Sequence, residues 1–437
     1  MHWKTDKVTG WGRALAATGN IARPETEAEI ISAPSAPAAG NRRSYGDAPL
    51  NGGGQSLDMT RMDNILSFDR ETGLAHVGAG MTIAAMARVF VPQGWIPAVM
   101  PGTGFATVGG AIGMDVHGKN HHGAGSFGQH VSAIHLATGG AVRRITPEDA
   151  LLWRATIGGL GQTGVIISAE LQLARCKGSV MVVTERRVEN WAEHLAMLDA
   201  SPATYCVGWI DATATGPNLG RGILEEAEVG RGLIPKAKAT KAVPFDAPHL
   251  ALSAPIVKVF NAAYYHRIPA HGRTVVRSMD SFFFPLDAIH DWNRLYGKRG
   301  FHQFQCVVPT DRADGLRQML ATISSSGLAS PLAVLKRMGA GRAGFLSFPM
   351  EGYTLAVDFP NRDGAADLIR QLIGQTQDLG GRIYLAKDSL AAGPQIKSMY
   401  PEWPDWLAQV TAADPDHHLE TDMTRRLDLR HNRNSQT

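Results

Sequence analysis

The sequence predicts an α+β protein of two domains, and three observations support that prediction. The chain has 437 residues, more than the roughly 250–300 residues at which one hydrophobic core usually stops growing. Up to about residue 175, short alternating runs and helices are joined by glycine-rich turns. From residue 176 onward the strands and helices are longer and glycine is rarer, which indicates a second domain over 176–380. The closing segment, 381–437, is expected to return to the first domain.

The elements of the first domain follow from periodicity and turn residues. An alternating run, a turn and a second alternating run predict a hairpin over 64–80, and Thr82 then caps a short apolar helix. A second hairpin covers 131–146 and turns on paired glycines. A helix with Pro147 in its first turn follows, and a strand over 165–173 comes next.

The second domain alternates longer strands with amphipathic helices. Its predicted elements are a strand over 179–188, a helix over 190–200, strands over 205–212 and 301–310, a helix after 311, strands over 331–339 and 353–360, and a helix over 364–381. Residues 212–275 carry several prolines and glycines and are too long for a simple connection, so we expect an irregular flap there.

Composition excludes several classes of protein. With 44% hydrophobic and 19% charged residues, the chain is typical of soluble globular proteins. Its formal net charge is +3 and its basic residues are scattered, which argues against nucleic acid as a partner. The three cysteines have no CxxC spacing, which disfavours both a disulfide framework and a thiolate zinc site. No export signal or membrane span is visible, so we expect a cytoplasmic protein.

Glycines and histidines are concentrated in residues 108–131, "VGGAIGMDVHGKNHHGAGSFGQHV". His117 and His121 have the spacing of two metal ligands on one helical face. However, Gly118 stands where an HExxH motif has its glutamate, and Lys119 would place a positive charge beside an ion. Glycine also disfavours a helix by about 1 kcal/mol per residue, so we expect this segment not to be helical. We therefore expect no metal ion here.

The alternative interpretation of the window is an anion site. Glycine-rich loops expose consecutive backbone N–H groups, which can surround a phosphate. Neither a Walker loop nor a Rossmann GxGxxG is present, so a dinucleotide would need another way of being held. Any single glycine is more simply explained by a tight turn, but seven within one window favour the anion site.

Three stretches together resemble the FAD-binding domain of the vanillyl-alcohol-oxidase-type flavoproteins. They are "NRRSYGDAPLNGGGQSLDMTRM", "PGTGFATVGGAIGMDVHGKNHHGAGSFGQHV" and "TIGGLGQTGVIISAEL". A narrower likeness, through "TGWGR", "RSYGD", "WNRLYG", "FHQFQCVVPT", "YTLAVDFP" and "IYLAKDS", is to the decaprenylphosphoryl-β-D-ribose 2-oxidase family. The resemblance implies that the first domain is a two-subdomain FAD-binding (PCMH-type) domain. It implies a second, substrate-binding α+β domain built on an antiparallel sheet.

The resemblance also implies which residues hold FAD. The implied set is Gly40, Asn41, Arg42, Arg43, Ser44, Tyr45, Gly46, Pro101, Gly102, Thr103, Thr107, Val108, Gly109, Gly110, Ile112, His117, Gly118, Asn120, Gly158, Gly159, Thr163, Gly164, Ile166 and Tyr384. His117 would donate a hydrogen bond to the flavin. Several relatives link FAD covalently to a histidine in the "RSxGD"-like loop, where this chain has Tyr45, so we expect non-covalent FAD.

The substrate-binding residues implied by the resemblance are Trp209, Tyr296, Gln303, Gln305, Lys336, Ala356 and Lys387. Lys387 and Tyr45 are the implied candidates for the group that handles the proton, beside His117. The chain departs from the family at Ala39 and Arg42 in the first loop, and at Ala356, where the family often has a cysteine.

The implied activity is FAD-dependent oxidation of the 2-hydroxyl of a polyprenylphosphoryl-β-D-ribofuranose to the 2-keto sugar. An NADH-dependent short-chain reductase would then complete the epimerisation to the arabinose form. A lipid-linked substrate also implies contact with a membrane surface, for which 212–275 is the expected segment. Two alternatives stay open at this point: an oxidase of a soluble sugar, alditol or aldonolactone, and a non-catalytic flavin-fold subunit of a reductase complex.

Overall fold

The computed structural model describes residues 1–236 and 240–431. In chain order the strands are β1 (Lys4–Thr9), β2 (Ala16–Ala22), β3 (Ala38–Ala39), β4 (Gln55–Asp58), β5 (Ile65–Phe68), β6 (Leu74–Gly78), β7 (Trp95–Ile96), β8 (Val131–Thr138), β9 (Ala141–Ile145), β10 (Val165–Gln172), β11 (Ala174–Arg175), β12 (Val180–Val188), β13 (Tyr205–Ile210), β14 (Gly222–Gly230), β15 (Lys241–Ala242), β16 (Arg273–Ser278), β17 (Ile289–His290), β18 (Phe301–Val308), β19 (Ala333–Met338), β20 (Gly352–Pro360) and β21 (Arg382–Ile383).

The helices are α1 (Glu27–Ser32), α2 (Ile83–Phe90), α3 (Val108–Gly113), α4 (His121–Ala124), α5 (Ala150–Thr156), α6 (Trp191–Ala200), α7 (Ala254–His266), α8 (Met279–Phe283), α9 (Ala313–Ser326), α10 (Ala365–Asp378), α11 (Gly393–Met399), α12 (Trp403–Ala413) and α13 (Asp422–Arg426). Within the described residues, no helix is both long and apolar enough to cross a membrane.

Two sheets form the N-terminal part of the molecule. The first has four strands in the order β1-β2-β4-β3, and the second has five antiparallel strands in the order β5-β6-β10-β8-β9. Leu57 and Met59 of the first subdomain pack against Val165 and Ile167 of β10 in a common apolar cluster. The pair of sheets agrees with the two α+β subdomains that the resemblance implies.

An eight-stranded antiparallel sheet, in the order β16-β12-β14-β13-β19-β20-β18-β21, forms the second part. Buried side chains of the sheet, such as Phe304 and Leu355, share one core with Leu316 of α9 and Leu372 of α10. Burying these apolar side chains is the main contribution to the stability of this part. The expectation of an antiparallel sheet in the second domain is confirmed.

Several predicted elements occur where the sequence placed them. β5 and β6 form the first hairpin, and Thr82 caps α2 by accepting a hydrogen bond from the N–H of Ala85. β8 and β9 form the second hairpin, in which Gly139 has φ 58° and Gly140 has φ 77°. Positive φ angles at both turn positions are what make glycine the favoured residue there.

Three predictions about elements were wrong. The helix expected from Pro147 begins only at Ala150, because residues 147–149 form a turn. The glycine window contains two short helices, α3 and α4, although His117 itself lies outside them. α3 forms in spite of its three glycines because Thr107 caps its first turn, accepting from the N–H of Gly110.

The third error concerns 212–275, which is not an irregular flap throughout. It contains the nine-residue strand β14, the thirteen-residue helix α7 and the start of β16. The acidic residues of β14 hid its strand pattern, and Glu225 is in fact paired with Arg277 of β16 at 3.1 Å. Residues 237–239 of this segment lie outside the described residues.

The C-terminal segment contacts both parts of the molecule. Arg426 forms an ion pair with Asp47 at 2.6 Å, and Arg430 donates to Gln162 at 3.3 Å, both in the N-terminal part. Trp406 is fully buried in the core of the second part. Residues 432–437, which belong to the predicted segment 381–437, lie outside the described residues. The division into domains at 175 and 380 stays a prediction.

Candidate active site

A cavity of about 400 Å³ lies between the glycine-rich loops of the N-terminal part and one face of the eight-stranded sheet. The loops contribute residues from 38–49, 100–119 and 160–166, and the sheet contributes side chains of β18, β19 and β20. The segment 384–387 and residues 283–292 complete the wall. The cavity is therefore lined by most of the residues that the resemblance assigned to cofactor or substrate.

The two glycine loops approach each other closely at one side of the cavity. A Cβ added to Gly40 would lie 2.1 Å from Oγ1 of Thr107, so only glycine lets the first loop come this near to the cap of α3. Asn41 fixes the same approach, because its side-chain amide donates to the carbonyl of Phe105 at 2.9 Å. These contacts place backbone amides of both loops beside the same side of the cavity.

Arg43 brings a positive charge to this side of the cavity. Its guanidinium lies 4.0 Å from the ring of Trp11 and 4.6 Å from the ring of Phe105. Nε of Arg43 is buried without a hydrogen-bond partner, and the structure gives Arg43 no ion pair with any described residue. A cation held between aromatic rings and facing a glycine cradle suits the pyrophosphate of FAD.

Asp287 reaches the same loops from the segment 283–292. Its carboxylate accepts from Oγ1 of Thr103 at 2.9 Å and from the N–H of Gly104 at 2.7 Å. Burial raises the pKa of Asp287, while those two donors and the charge of Arg43 oppose the rise. Asp287 lines the cavity, and no sequence motif marks it, because it is a lone aspartate outside any recognisable pattern.

His117 lies at the bottom of the cavity as a neutral imidazole. Burial lowers its pKa well below the ordinary value, and the charges of Lys336 and Lys387 lower it further. The amide nitrogen of Gln305 lies 3.0 Å from Nε2 of His117, and since an amide NH2 group can only donate, Nε2 is the acceptor; the same nitrogen also donates to Thr354. The ring proton is then on Nδ1, which is buried and has no partner among the described atoms. A free N–H donor here suits the role expected for His117 beside the flavin.

His121 does not complete a metal pair with His117. Nε2 of His121 is 2.9 Å from the carbonyl of Gly341, and its Nδ1 accepts from the N–H of Gly339. The two rings are 6.4 Å apart and nearly perpendicular. Both nitrogens of His121 thus serve the backbone of the loop after β19.

Lys387 and Tyr45 lie together because the backbone joins their segments. The N–H of Tyr45 donates to the carbonyl of Ala386 at 2.8 Å. This contact places Nζ of Lys387 3.6 Å above the centre of the Tyr45 ring. Burial lowers the pKa of Lys387 and raises the pKa of Tyr45 well above its ordinary value. Of the two candidates, Lys387 is therefore the one that can be neutral, and so accept a proton, near pH 7.

Asp358 of β20 is the carboxylate that faces Lys387. It is fully buried, and its oxygens accept hydrogen bonds from the amide of Gln303 and, at 3.1 Å, from the hydroxyl of Tyr296. Burial raises the pKa of Asp358, and the charge of Lys387 lowers it. The negative charge of Asp358 in turn stabilises the ammonium form of Lys387.

The structure brings most of the predicted site residues to the cavity wall. Those that line it are Gly40, Asn41, Arg42, Arg43, Ser44, Tyr45, Pro101, Gly102, Thr103, Thr107, Gly109, Gly110, His117, Gly118, Gly164, Ile166, Gln303, Gln305, Lys336, Ala356, Tyr384 and Lys387. The guanidinium of Arg42 forms an ion pair with Asp58 at 3.1 Å, so its charge is already partly neutralised and is less available to a cofactor phosphate.

Other predicted residues lie behind the wall. They are Gly46, Val108, Ile112, Asn120, Gly158, Gly159, Thr163, Trp209 and Tyr296. Trp209 donates to the carbonyl of Pro331 at 2.9 Å and packs on Tyr264, so its ring faces α7 instead of the cavity. Tyr296 is stacked on Phe301 at 4.0 Å and is bound to Asp358, so it supports the site from below.

Sequence reasoning missed several wall residues. The main ones are Trp11, Lys119, Leu160, Val207, Phe283, Leu286, Asp287, Trp292, Val334 and Thr354. Trp292 could have been identified from the sequence, since it is the first residue of the "WNRLYG" stretch on which the resemblance depends. Lys119 lies in the glycine window itself, where its positive charge argues against a metal ion but does not indicate a role in the cavity.

Comparison with known proteins agrees with this geometry. A family model described as an FAD binding domain matches residues 21–145. The chain is 36% identical to decaprenylphosphoryl-β-D-ribose oxidase of Mycolicibacterium smegmatis, over 97% of this chain and 98% of that protein. An uncharacterised protein of Streptomyces coelicolor is 30% identical over 80% of this chain and all of its own length. A D-lactate dehydrogenase of Anaerostipes hadrus is 28% identical over 34% of this chain and 33% of its own.

Proposed function

Because the chain belongs to the FAD-dependent oxidoreductase family of decaprenylphosphoryl-β-D-ribose oxidase, we propose that it oxidises the 2-hydroxyl of a polyprenylphosphoryl-β-D-ribofuranose to the 2-keto sugar. The observation that carries the proposal is the amine of Lys387, which lies 3.6 Å above the centre of the Tyr45 ring and shares one cavity with Gln305 and His117. A hydroxyl placed against that amine can lose its proton there.

FAD, when bound, supplies the two-electron oxidant that takes the hydrogen from carbon 2 as hydride. The backbone amides of the two glycine loops and Arg43 would hold its pyrophosphate, and Nδ1 of His117 would donate to its ring system.

The residues of this chain then manage the sugar and the proton. Nζ of Lys387 accepts the proton of the 2-hydroxyl as the carbonyl forms, and Asp358 stabilises the resulting ammonium group. Gln303 and Gln305 line the same cavity as Lys387, and because their amide nitrogens already donate to Asp358, His117 and Thr354, their amide oxygens are the groups that accept from the sugar hydroxyls. Ala356 faces the same space, and since the reaction needs no thiol, its difference from the family's frequent cysteine leaves the mechanism intact.

Anaerobic flavin absorbance tests the reaction directly. The purified holoprotein is mixed with a short-chain polyprenylphosphoryl-β-D-ribofuranose, and in parallel with ribose, an alditol and an aldonolactone. We expect the lipid-linked ribose to bleach the flavin and the soluble sugars to leave it oxidised. Bleaching by a soluble sugar alone would identify an oxidase of soluble substrates, and no bleaching by any compound would favour a non-catalytic subunit.

The flavin of this chain is proposed to be bound without a covalent link. Tyr45 occupies the place in the loop where several relatives carry a linked histidine, and its buried ring lies under Lys387. Acid precipitation should therefore release all of the yellow chromophore into the supernatant. Absorbance that stays with the washed, denatured chain would contradict the proposal.

Two partners follow from the proposed reaction. The 2-keto sugar needs a reductant to become the arabinose form, so the proposal includes an NADH-dependent short-chain reductase and a cytoplasmic site of action where NADH is available. The polyprenyl tail of the substrate remains in a bilayer, so the proposal also includes contact with a membrane surface.

A set of exposed apolar side chains suited to membrane contact lies within residues 233–260. We call it the docking surface, and it consists of the exposed side chains of Leu233, Ile234, Phe245, Leu250, Ile256, Val259 and Phe260. Leu233 is 94% exposed and Val259 is 71% exposed. Seven exposed large apolar side chains within 28 residues are an unusual concentration for a protein surface. Lys236, Lys241 and Lys258 are exposed within the same segment and suit an anionic bilayer.

A further inference from the structure

Lys119 and Lys336 are two cations on the wall of the cavity with no carboxylate partner of their own. Nζ of Lys119 donates to the carbonyl of Phe282 and lies 4.0 Å over that residue's ring. Nζ of Lys336 lies 3.4 Å from the carbonyl of Gly118. Neither lysine forms an ion pair with any residue that the structure describes, and Glu225, whose charge reaches Lys119, is already paired with Arg277.

Enclosing two ammonium groups in this way is unfavourable unless an anion joins them. Burial lowers the pKa of each lysine to about 8, and the charge of Lys119 contributes to the shift at Lys336. At pH 7 both side chains are still mainly protonated, so this side of the cavity carries uncompensated positive charge. Such a site is suited to a phosphate group.

The pyrophosphate of FAD does not account for these two lysines. The glycine loops and Arg43 supply the donors for that group, whereas Lys119 and Lys336 meet next to His117, where Nζ of Lys336 lies 3.4 Å from the carbonyl of Gly118. The charge of Lys336 acts on both His117 and Lys387, which places it close to the proposed reacting group. In a glycosyl phosphate the phosphate is carried by carbon 1, the immediate neighbour of the carbon that is oxidised.

We propose that Lys119 and Lys336 form the phosphate subsite of this cavity, which holds the diester of the glycosyl phosphate while Lys387 meets the 2-hydroxyl. The assignment rests on the proposed function for the identity of the ligand. It separates the roles of the lysines: two anchor charge and one handles the proton. It also explains why a soluble, uncharged sugar is a poor ligand, since such a sugar leaves both ammonium groups buried without an anion.

The test measures binding without turnover. The probe is farnesylphosphoryl 2-deoxy-2-fluoro-β-D-ribofuranose, which lacks the 2-hydroxyl and cannot be oxidised there. The comparison ligand is the farnesyl riboside of the same sugar without the phosphate. Both are titrated into the holoprotein while the change in flavin absorbance is followed, and the melting temperature and FAD content of every variant are recorded.

Lys119→Met and Lys336→Met should each weaken binding of the phosphorylated probe by about 10- to 100-fold, the range for losing a hydrogen bond to a charged group. Binding of the riboside should change less than about threefold. Lys177→Met, which removes an exposed lysine that does not line the cavity, should leave both affinities unchanged. In the unmodified protein, inorganic phosphate should compete with the phosphorylated probe and not with the riboside, at constant ionic strength.

Equal losses for the two ligands would overturn the proposal, because the lysines would then only shape the cavity. Loss of FAD from both variants would also overturn it, because the lysines would then serve the cofactor. If a variant does not fold, the competition by inorganic phosphate decides alone, and its absence counts against the subsite. If the phosphate preference depends on the lysines but polyprenylphosphoryl ribose fails to bleach the flavin, the subsite stands and the proposed reaction falls.

Discussion

Lys387 and Tyr45 are neighbours in the cavity, yet burial moves their pKa values in opposite directions. A low-dielectric environment disfavours the charged form of either group, so the amine of Lys387 becomes easier to deprotonate and the phenol of Tyr45 becomes harder. The sequence identified both residues but could not choose between them, because the choice depends on the enclosing walls and on Asp358. This carboxylate comes from β20 and is distant from both residues in the chain.

Replacing Lys387 tests this choice. Lys387→Ala should keep its FAD, because the glycine loops hold the cofactor, but flavin reduction by substrate should slow by about 10²- to 10⁴-fold. Stopped-flow absorbance measures the reduction rate, and Tyr45→Phe is the parallel variant. If Lys387→Ala reduces its flavin at the unmodified rate and only substrate affinity falls, the lysine is an anchor and not the proton acceptor.

Replacing Asp358 should move the pH profile in a defined direction. Lys387 must be neutral to accept a proton, so the reduction rate rises with pH through its pKa. Asp358 stabilises the ammonium form, and Asp358→Asn therefore lowers the pKa of Lys387 further and shifts the rising limb to lower pH. Asp363→Asn, at a fully exposed carboxylate, is the matched control. A limb that stays in place in Asp358→Asn would contradict the link.

At the scale of elements, local signals predicted hairpins well and predicted other elements poorly. Paired glycines with positive φ at 139 and 140 mark a turn that needs no tertiary information. β14 was missed because its glutamates look like a solvated run until arginines from β16 and the α7 end are brought beside them. α3 was missed for a related reason, since the cap at Thr107 outweighs the low helix propensity of its glycines.

Gly40 is the position where the loop geometry can be tested. Gly40→Ala places a methyl group 2.1 Å from Oγ1 of Thr107, so the first loop or the cap of α3 has to move. We expect the variant to lose FAD during gel filtration and to melt at lower temperature, as overpacking typically costs about 1–3 kcal/mol. Gly374→Ala in α10, where an added Cβ meets nothing within 4 Å, should keep both properties. Full retention of FAD by Gly40→Ala would show that the close approach is not needed.

At the scale of the whole molecule, the cavity is lined by many short segments that lie far apart in the chain, and only a resemblance to a family could relate them in advance. Periodicity predicted two domains but not which of their surfaces face each other. Membrane contact was expected within 212–275, but its side chains could not be named, because no amphipathic helix was apparent before α7 placed Ile256, Val259 and Phe260 on one exposed face. Its neighbour Leu252 packs into the cluster that contains Trp292, a cavity residue. The segment that carries the docking surface thus also packs against a residue of the cavity wall.

The docking surface predicts binding to anionic vesicles. The holoprotein should sediment with vesicles of phosphatidylglycerol and phosphatidylcholine, and the bound fraction should fall with salt. Val259→Glu with Phe260→Glu should abolish sedimentation while flavin content stays the same. Leu66→Glu, at a half-exposed leucine of β5 outside this surface, is the control. Equal sedimentation of the double variant would remove the surface from the proposal.

The carboxylate of Asp287 gives this architecture a thermodynamic reciprocity. It ties the wall segment to Thr103 and Gly104, in the same loop whose amides face the pyrophosphate side of the cavity. The loop at Thr103 and Gly104 orders when a cofactor binds, and the segment that carries Asp287 packs over the substrate space. Because Asp287 links the two, these equilibria are coupled, and the free energy of coupling is the same in both directions. Under the proposed function, bound FAD favours binding of the sugar, and a bound sugar raises the affinity for FAD by the same factor.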